Sequence, residues 1–197
     1  MTLLRRSSVA AAAVAVSSLV GVQVQAKPVV QVFNTGITEA EVDQMQKGWC
    51  DAVLAISAAY QDGGYDAGRA KAAAVIDSAY AYDYGPVAFK PTYATGAGTF
   101  RTTRDGALAY FVGPDPSIAL YRGKKLGFAT YRHWVKCEIK DEVVQLFGNT
   151  ANTMGQVILT DSDGQTAEPE KTWTFLREID GSIRIVLHHS SAPFDAR

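Results

Sequence analysis

Cysteine is almost absent from this chain: its 197 residues hold two, Cys50 and Cys137, together with only three histidines. Two cysteines without His or Asp at ligand spacing do not make a zinc site, so no metal is expected. Neither sign of charge dominates, with 19 basic residues interspersed among 20 acidic ones. That excludes the concentrated basic face a nucleic-acid partner needs. Internal repeats and low-complexity tracts are missing after residue 26, as is an apolar run of the roughly 20 bulky residues that span a bilayer. No phosphate loop is present either, because Gly96-Ala97-Gly98 is too short and does not join a strand to a helix. No cofactor is expected. Asp161, Asp163 and Gly164 imitate the opening of a calcium loop but lack its later acidic ligands.

What is present begins with a targeting segment. Arg5 and Arg6 precede the Ala- and Val-rich run Val9 to Val22, and Val24-Gln25-Ala26 puts small residues at the positions a signal peptidase reads. Residues 1–26 are therefore expected to be removed, leaving 27–197 as one domain in the periplasm or outside the cell, with no membrane attachment. Loss of Arg5 and Arg6 leaves 17 basic against 20 acidic residues and a net charge of −3.

The remaining chain reads as helix first and sheet afterwards. Val42, Met45, Trp49, Val53, Ile56 and Tyr60 recur at helical spacing, and Thr38 with Glu41 forms a capping-box pattern. This helix is expected to stop at Asp62-Gly63-Gly64, with a second from Asp66 through Tyr80. From Gly85 onward short strands are expected at Val87 to Tyr93, Ala107 to Val112, Thr130 to Ile139, Val143 to Phe147, Thr153 to Thr160, Lys171 to Glu178 and Ser182 to Ser190. A long loop covers Gly113 to Lys125, and Asp161 to Gly164 and Asp180-Gly181 are hairpin signals. The fold class is α+β, with an antiparallel meander covered by the N-terminal helices.

Strand alternation assigns faces. In the last strand Ile183, Ile185, Leu187 and His189 share the inner face, while Arg184, Val186 and His188 face outward. In the strand from Thr130, His133, Val135 and Cys137 oppose Trp134 and Lys136. Cys50, at the edge of the first helix's apolar stripe, and Cys137 can meet between helix and sheet, either bridged or as two buried thiols.

Several motifs carry a resemblance. Gly48-Trp49-Cys50, Phe89-Lys90-Pro91-Thr92, Phe100-Arg101-Thr102-Thr103, Lys171-Thr172 and Leu187-His188-His189-Ser190-Ser191-Ala192-Pro193 resemble exported bacterial members of the nuclear transport factor 2-like superfamily. The tail is similar to the association domain of calcium/calmodulin-dependent protein kinase II. The resemblance implies a cone, in which a curved antiparallel sheet wraps helices around a pocket, and a homodimer through the outer sheet face, where Trp134, Val186 and His188 are placed. Related chains also carry the name phosphoribosyl-AMP cyclohydrolase, whose cysteine-rich zinc motif is missing here.

Within that frame His189, at the end of an apolar face, is the first candidate for a general base or ligand donor, with His133 second. The alternative is a core histidine bonded to a backbone carbonyl. Arg101 and Lys90 are candidates for a carboxylate or phosphate clamp, or for a structural salt bridge. Tyr80, with Tyr82, Tyr84 and Tyr93, can line the pocket or pack as core. The favoured function is a pocket domain binding a small anionic or aromatic molecule, since no carboxylate falls at an obvious core position. An isomerase, cyclase or hydrolase with a His base and a pure oligomerisation module are the alternatives.

Overall fold

A computed structural model describes residues 36–115, 118 and 124–193. The chain divides into a unit at residues 1–33, outside the described residues, and a second at 34–197. The signal peptide and the expected start at Lys27 therefore fall outside the described residues.

Helix α1 (Glu39–Ala79) starts where the capping pattern puts it. Thr38 Oγ1 accepts from the Glu41 amide at 3.3 Å, and the Thr38 amide donates to Glu41 Oε2 at 2.9 Å. Val42, Trp49, Val53 and Ile56 are buried, as the spacing requires. The helix is interrupted at Gly64, whose φ of 70° and ψ of −160° suit only glycine. Helical structure resumes at once and runs to Ala79, so Asp66 lies inside it and is not a cap. Among the described residues no helix is long and apolar enough to cross a membrane.

The segment 107–112, expected as a strand, is helical: α2 spans Arg104–Val112. Thr103 caps it by accepting from the Gly106 amide at 3.2 Å. Ala107, Leu108, Tyr110 and Phe111 are all buried; Ala107 and Leu108 stand three or four positions from Tyr110 or Phe111, which suits a helix better than a two-residue alternation.

Among the described residues there are six strands, the first of them before α2: β1 (Ala88–Lys90), β2 (Trp134–Phe147), β3 (Thr150–Asp161), β4 (Thr166–Ala167), β5 (Glu170–Arg177) and β6 (Ile183–Ser191). They form one curved sheet in the order β1-β6-β5-β3-β2, with β4 on β3. All pairings are antiparallel except β1 with β6, which is parallel. The two strands expected over 130–147 are one long strand, β2. The fold is α+β as expected, with α1 packed on a mostly antiparallel sheet.

Two bulges overturn the face assignments. On β6, Leu187 pairs with Thr174 but Ile185 pairs with Phe175, so Val186 is an extra residue. An extra residue reverses the alternation beyond it. His188 and Ser190 therefore join Ile185 on the buried face, and His189 turns outward. On β2 the register slips between Trp134 and Lys136, so Trp134 is buried while Val135 is exposed. Trp134 and His188, placed on the outer face as dimer contacts, are both 1 % exposed and cannot serve there.

Cys50 and Cys137 form a disulfide with a Cα–Cα distance of 5.4 Å, tying α1 to β2. Two further links fasten the same helix: Gln46 Nε2 donates to Asp141 Oδ1 at 2.9 Å, and Ser57 Oγ accepts from the Trp134 amide at 2.9 Å.

Candidate functional site

The covered face of the sheet carries polar side chains in an otherwise apolar interior. Register places Phe89, His188, Trp173 and Thr153 in one row across β1, β6, β5 and β3. The next row holds Ser190, Lys171 and Gly155. Phe89, His188, Trp173, Thr153, Ser190 and Lys171 are all buried. Above them, α1 contributes Trp49 and, at its end, Tyr80, while α2 contributes Tyr110 and the turn before β2 contributes Phe128.

The rings make an aromatic box. Phe89 stacks on His188 at 4.5 Å, Trp49 meets Trp173 edge-on at 5.5 Å, and Tyr110 stacks on Phe128 at 5.6 Å. Through this box runs a chain of hydrogen bonds. Trp49 Nε1 donates to the Tyr80 hydroxyl at 3.1 Å, that hydroxyl lies 2.8 Å from His188 Nδ1, and His188 Nε2 lies 3.0 Å from Lys171 Nζ. Lys171 Nζ also sits 4.8 Å from the Trp49 ring centre and 5.5 Å from that of Phe128.

Burial sets the protonation of these groups. It lowers the Lys171 ammonium to about 7, helped by the charge of Lys90. Burial, then Lys171 and His189, push the His188 imidazole well below its ordinary value, so it is neutral near pH 7. Burial raises Tyr80 and Tyr110, which remain phenols, with Thr92 beside Tyr110 opposing part of the rise.

Several buried polar atoms on this face are short of partners. Thr153 Oγ1 and Trp173 Nε1 make no hydrogen bond to a described residue, and Tyr110 Oη has only Thr92 beside it. Thr92 Oγ1 and Ser190 Oγ are 2.5 Å apart and bond mainly to each other. A buried donor or acceptor left alone costs about 1–3 kcal/mol, so each of these groups calls for a bonding partner. Among the described residues no three His, Cys, Asp or Glu side chains are placed to hold a metal ion.

The expected site residues are distributed differently. Tyr80 is in the interior chain. Lys90 lies at the margin, half-buried, with Nζ donating to the Ser190 carbonyl at 2.9 Å. Arg101 is buried and salt-bridged to the fully buried Asp115. His189 lines an outer groove of about 440 Å³ with Phe100 and Thr102, the two neighbours of Arg101, and not with Arg101 itself. The shared His189–Arg101 pocket is thereby corrected. His133 precedes β2, half-buried, and its carbonyl accepts from the Ser162 amide. Tyr82 donates to the Arg101 carbonyl, and Tyr84 is exposed.

Sequence reading missed His188, Ser190, Thr92, Tyr110 and Lys171 as interior groups. One signal for Lys171 was available: it alternates with Trp173 and Phe175 on β5, which places a lysine on a face of large apolar residues.

Residues 40–192 match the family model described as metal-independent carbonic anhydrase. The chain is 48% identical over 164 residues to the metal-independent carbonic anhydrase of Nostoc sp. (strain PCC 7120 / SAG 25.82 / UTEX 2576), covering 83% of this chain and 78% of that protein. It is similar to the crystal structure of an iota-carbonic anhydrase from a cyanobacterium complexed with bicarbonate, with TM-score 0.78 and 48% identity over 85% of this chain and 99% of that one. A putative calcium/calmodulin-dependent protein kinase II association domain from Xanthomonas campestris shares the fold, with TM-score 0.51 and 21% identity over 85% of this chain and 100% of the other. With the family match spanning most of its length and a relative of this similarity, the chain belongs to the metal-independent carbonic anhydrase family.

Proposed function

We propose that this protein interconverts carbon dioxide and bicarbonate inside the helix-covered face of its sheet. The observation that carries the reading is the set of buried polar groups on this face: Thr153 Oγ1 and Trp173 Nε1 without a hydrogen-bond partner among the described residues, Tyr110 Oη beside Thr92, and the Thr92–Ser190 hydroxyl pair. Carbon dioxide is small and apolar and suits an aromatic box. Hydration forms a bond between a water oxygen and the carbon, develops negative charge on the carbon dioxide oxygens and releases one proton. Neutral donors fixed around a dry site stabilise such charge strongly, because they need no reorganisation as it forms. Thr92 and Ser190 supply hydroxyls that orient a water, and Tyr110, Thr153 and Trp173 supply O–H and N–H donors for the product oxygens. Family membership and the bicarbonate complex of a relative support the same assignment. The expectation of a small anionic ligand is thereby made specific.

The test is stopped-flow hydration of carbon dioxide by purified protein after chelator dialysis. Acceleration proportional to protein concentration is expected, falling at least about tenfold in Ser190→Ala and Thr92→Val. A rate equal to that of buffer alone contradicts the reading. A binding domain without turnover would bind bicarbonate yet leave the rate unchanged.

A further inference from the structure

Lys171 lacks what a buried lysine ordinarily has. Among the described residues no carboxylate lies within ion-pair distance of its Nζ, and the side chain is 3 % exposed. Buried cations are normally paired, because an isolated one is strongly disfavoured.

The hydrogen-bond chain points to its charge state. Trp49 Nε1 can only donate, so the Tyr80 oxygen accepts from it. With no other acceptor recorded for the Tyr80 hydroxyl proton, that proton belongs on the bond to His188 Nδ1. A neutral His188 then carries its own proton on Nε2 and directs it at Lys171 Nζ, which must accept it with a lone pair. This arrangement of protons makes Lys171 a neutral amine above about pH 7. The charged form is not without support, since the Trp49 and Phe128 rings lie within cation–π distance of Nζ.

The groups beside Nζ are His188 from β6, the Trp49 and Phe128 rings and, acting through its charge, Lys90 from β1; Glu142 and Glu170 line a groove with Lys171 but form no ion pair with it. Asp141 of β2, opposite Gly155, is taken up by Gln46. None of them supplies a negative charge to the amine. The product of hydration does.

We propose that Lys171 holds the proton released by hydration and that its ammonium is the counter-ion of the bicarbonate formed. This rests on the reading of the interior as the carbon dioxide site. The balance is carbon dioxide plus water plus the Lys171 amine giving bicarbonate plus the Lys171 ammonium, with a bond formed from water oxygen to carbon and one water O–H bond broken. The proton count closes along the hydrogen-bond chain: the Nε2 proton of His188 passes to Nζ, the Tyr80 hydroxyl proton passes to Nδ1, and the proton released by the water restores the Tyr80 hydroxyl, which leaves Nε2 as the acceptor of the ammonium. Bicarbonate and a proton therefore bind together, and an uncharged aromatic interior receives an anion without gaining net charge.

The experiment titrates bicarbonate into the intact protein by calorimetry near pH 8, in two buffers of different ionisation enthalpy. Uptake of close to one proton per bicarbonate is expected, and affinity should fall about tenfold between about pH 8 and 9, the slope of a one-proton linkage. In Lys171→Met both the uptake and the slope should disappear. Binding without proton uptake in the unaltered protein overturns the proposal, as does uptake that persists in Lys171→Met. Either result leaves the carbon dioxide reading intact if stopped-flow hydration is still accelerated. The absence of both binding and hydration overturns that reading and this proposal together. Should Lys171→Met fail to fold, the Lys171 ¹³Cε resonance of the unaltered protein decides: its titration midpoint rises when bicarbonate is added, and an unmoved midpoint contradicts the proposal.

Discussion

His188 Nε2 lies 3.0 Å from Lys171 Nζ, and the two groups set each other's proton. Burial holds both below their ordinary values, with the charge of Lys90 adding to the lowering of Lys171 and the charges of Lys171 and His189 adding to that of His188. The pair sits between aromatic rings whose packing stabilises the fold, at the point where that fold accommodates unpaired polar atoms.

Stability should carry the signature of that compromise. Lys171 titrates at about 7 when folded and near its ordinary 10.5 when unfolded. Between these values the unfolded chain binds more protons, so this group makes the protein more stable as pH rises from about 7 to about 10. Below about 7 its full cost is present. Lys171→Met should remove that slope and be at least as stable as the parent at pH 7, while losing hydration activity. Urea denaturation across this window measures it; a variant strongly destabilised at every pH would mean the lysine is structural.

The adjacent histidines should separate cleanly. His189→Ala alters an exposed side chain and is expected to change stability by no more than about 0.5 kcal/mol and leave the hydration rate unchanged. His188→Ala strands Tyr80 and Lys171, and should cost about 1–3 kcal/mol together with most of the activity. Melting curves and stopped-flow rates on both variants check this, and equal effects would contradict the reversed face order of β6.

That reversal explains how far the site was legible. The α1 capping box and apolar stripe, the α+β order and the approach of Cys50 to Cys137 follow from local patterns, and the structure has each of them. The faces of β6 and the start of β2 depend on single extra residues, Val186 and Val135, and an ordinary strand residue such as valine carries no sign that it is the extra one. One bulge exchanged His188 for His189, and with it the whole interior cluster. α2 was read as a strand because Gly106-Ala107-Leu108-Ala109-Tyr110-Phe111 is a short apolar run that periodicity alone assigns poorly. Its Thr103 cap was the overlooked clue. Arg101 was correctly suspected of needing a partner, but Asp115 fills that need from a loop whose course local pattern does not reveal.

The Cys50–Cys137 bridge spans 87 positions and fastens α1 beside Trp49. On the chain-entropy account, removing it as Cys50→Ser with Cys137→Ser should lower stability by roughly 4 kcal/mol. Guanidine unfolding of the double variant measures the loss. A change below about 1 kcal/mol would show that the unfolded chain gains little freedom from its removal.

Export remains a proposal drawn from residues 1–26. Amino-terminal sequencing of protein recovered from the periplasm or medium should begin at Lys27. Recovery only from the cytoplasm with Met1 intact contradicts it.

The central claim is turnover in the interior, and ¹³C magnetisation transfer between the carbon dioxide and bicarbonate resonances tests it at chemical equilibrium, with no net reaction and no indicator. The account predicts exchange between the two lines that scales with protein concentration, persists after chelator dialysis and vanishes in His188→Ala and Lys171→Met while His189→Ala behaves as the parent. Two lines exchanging no faster than in buffer would contradict it.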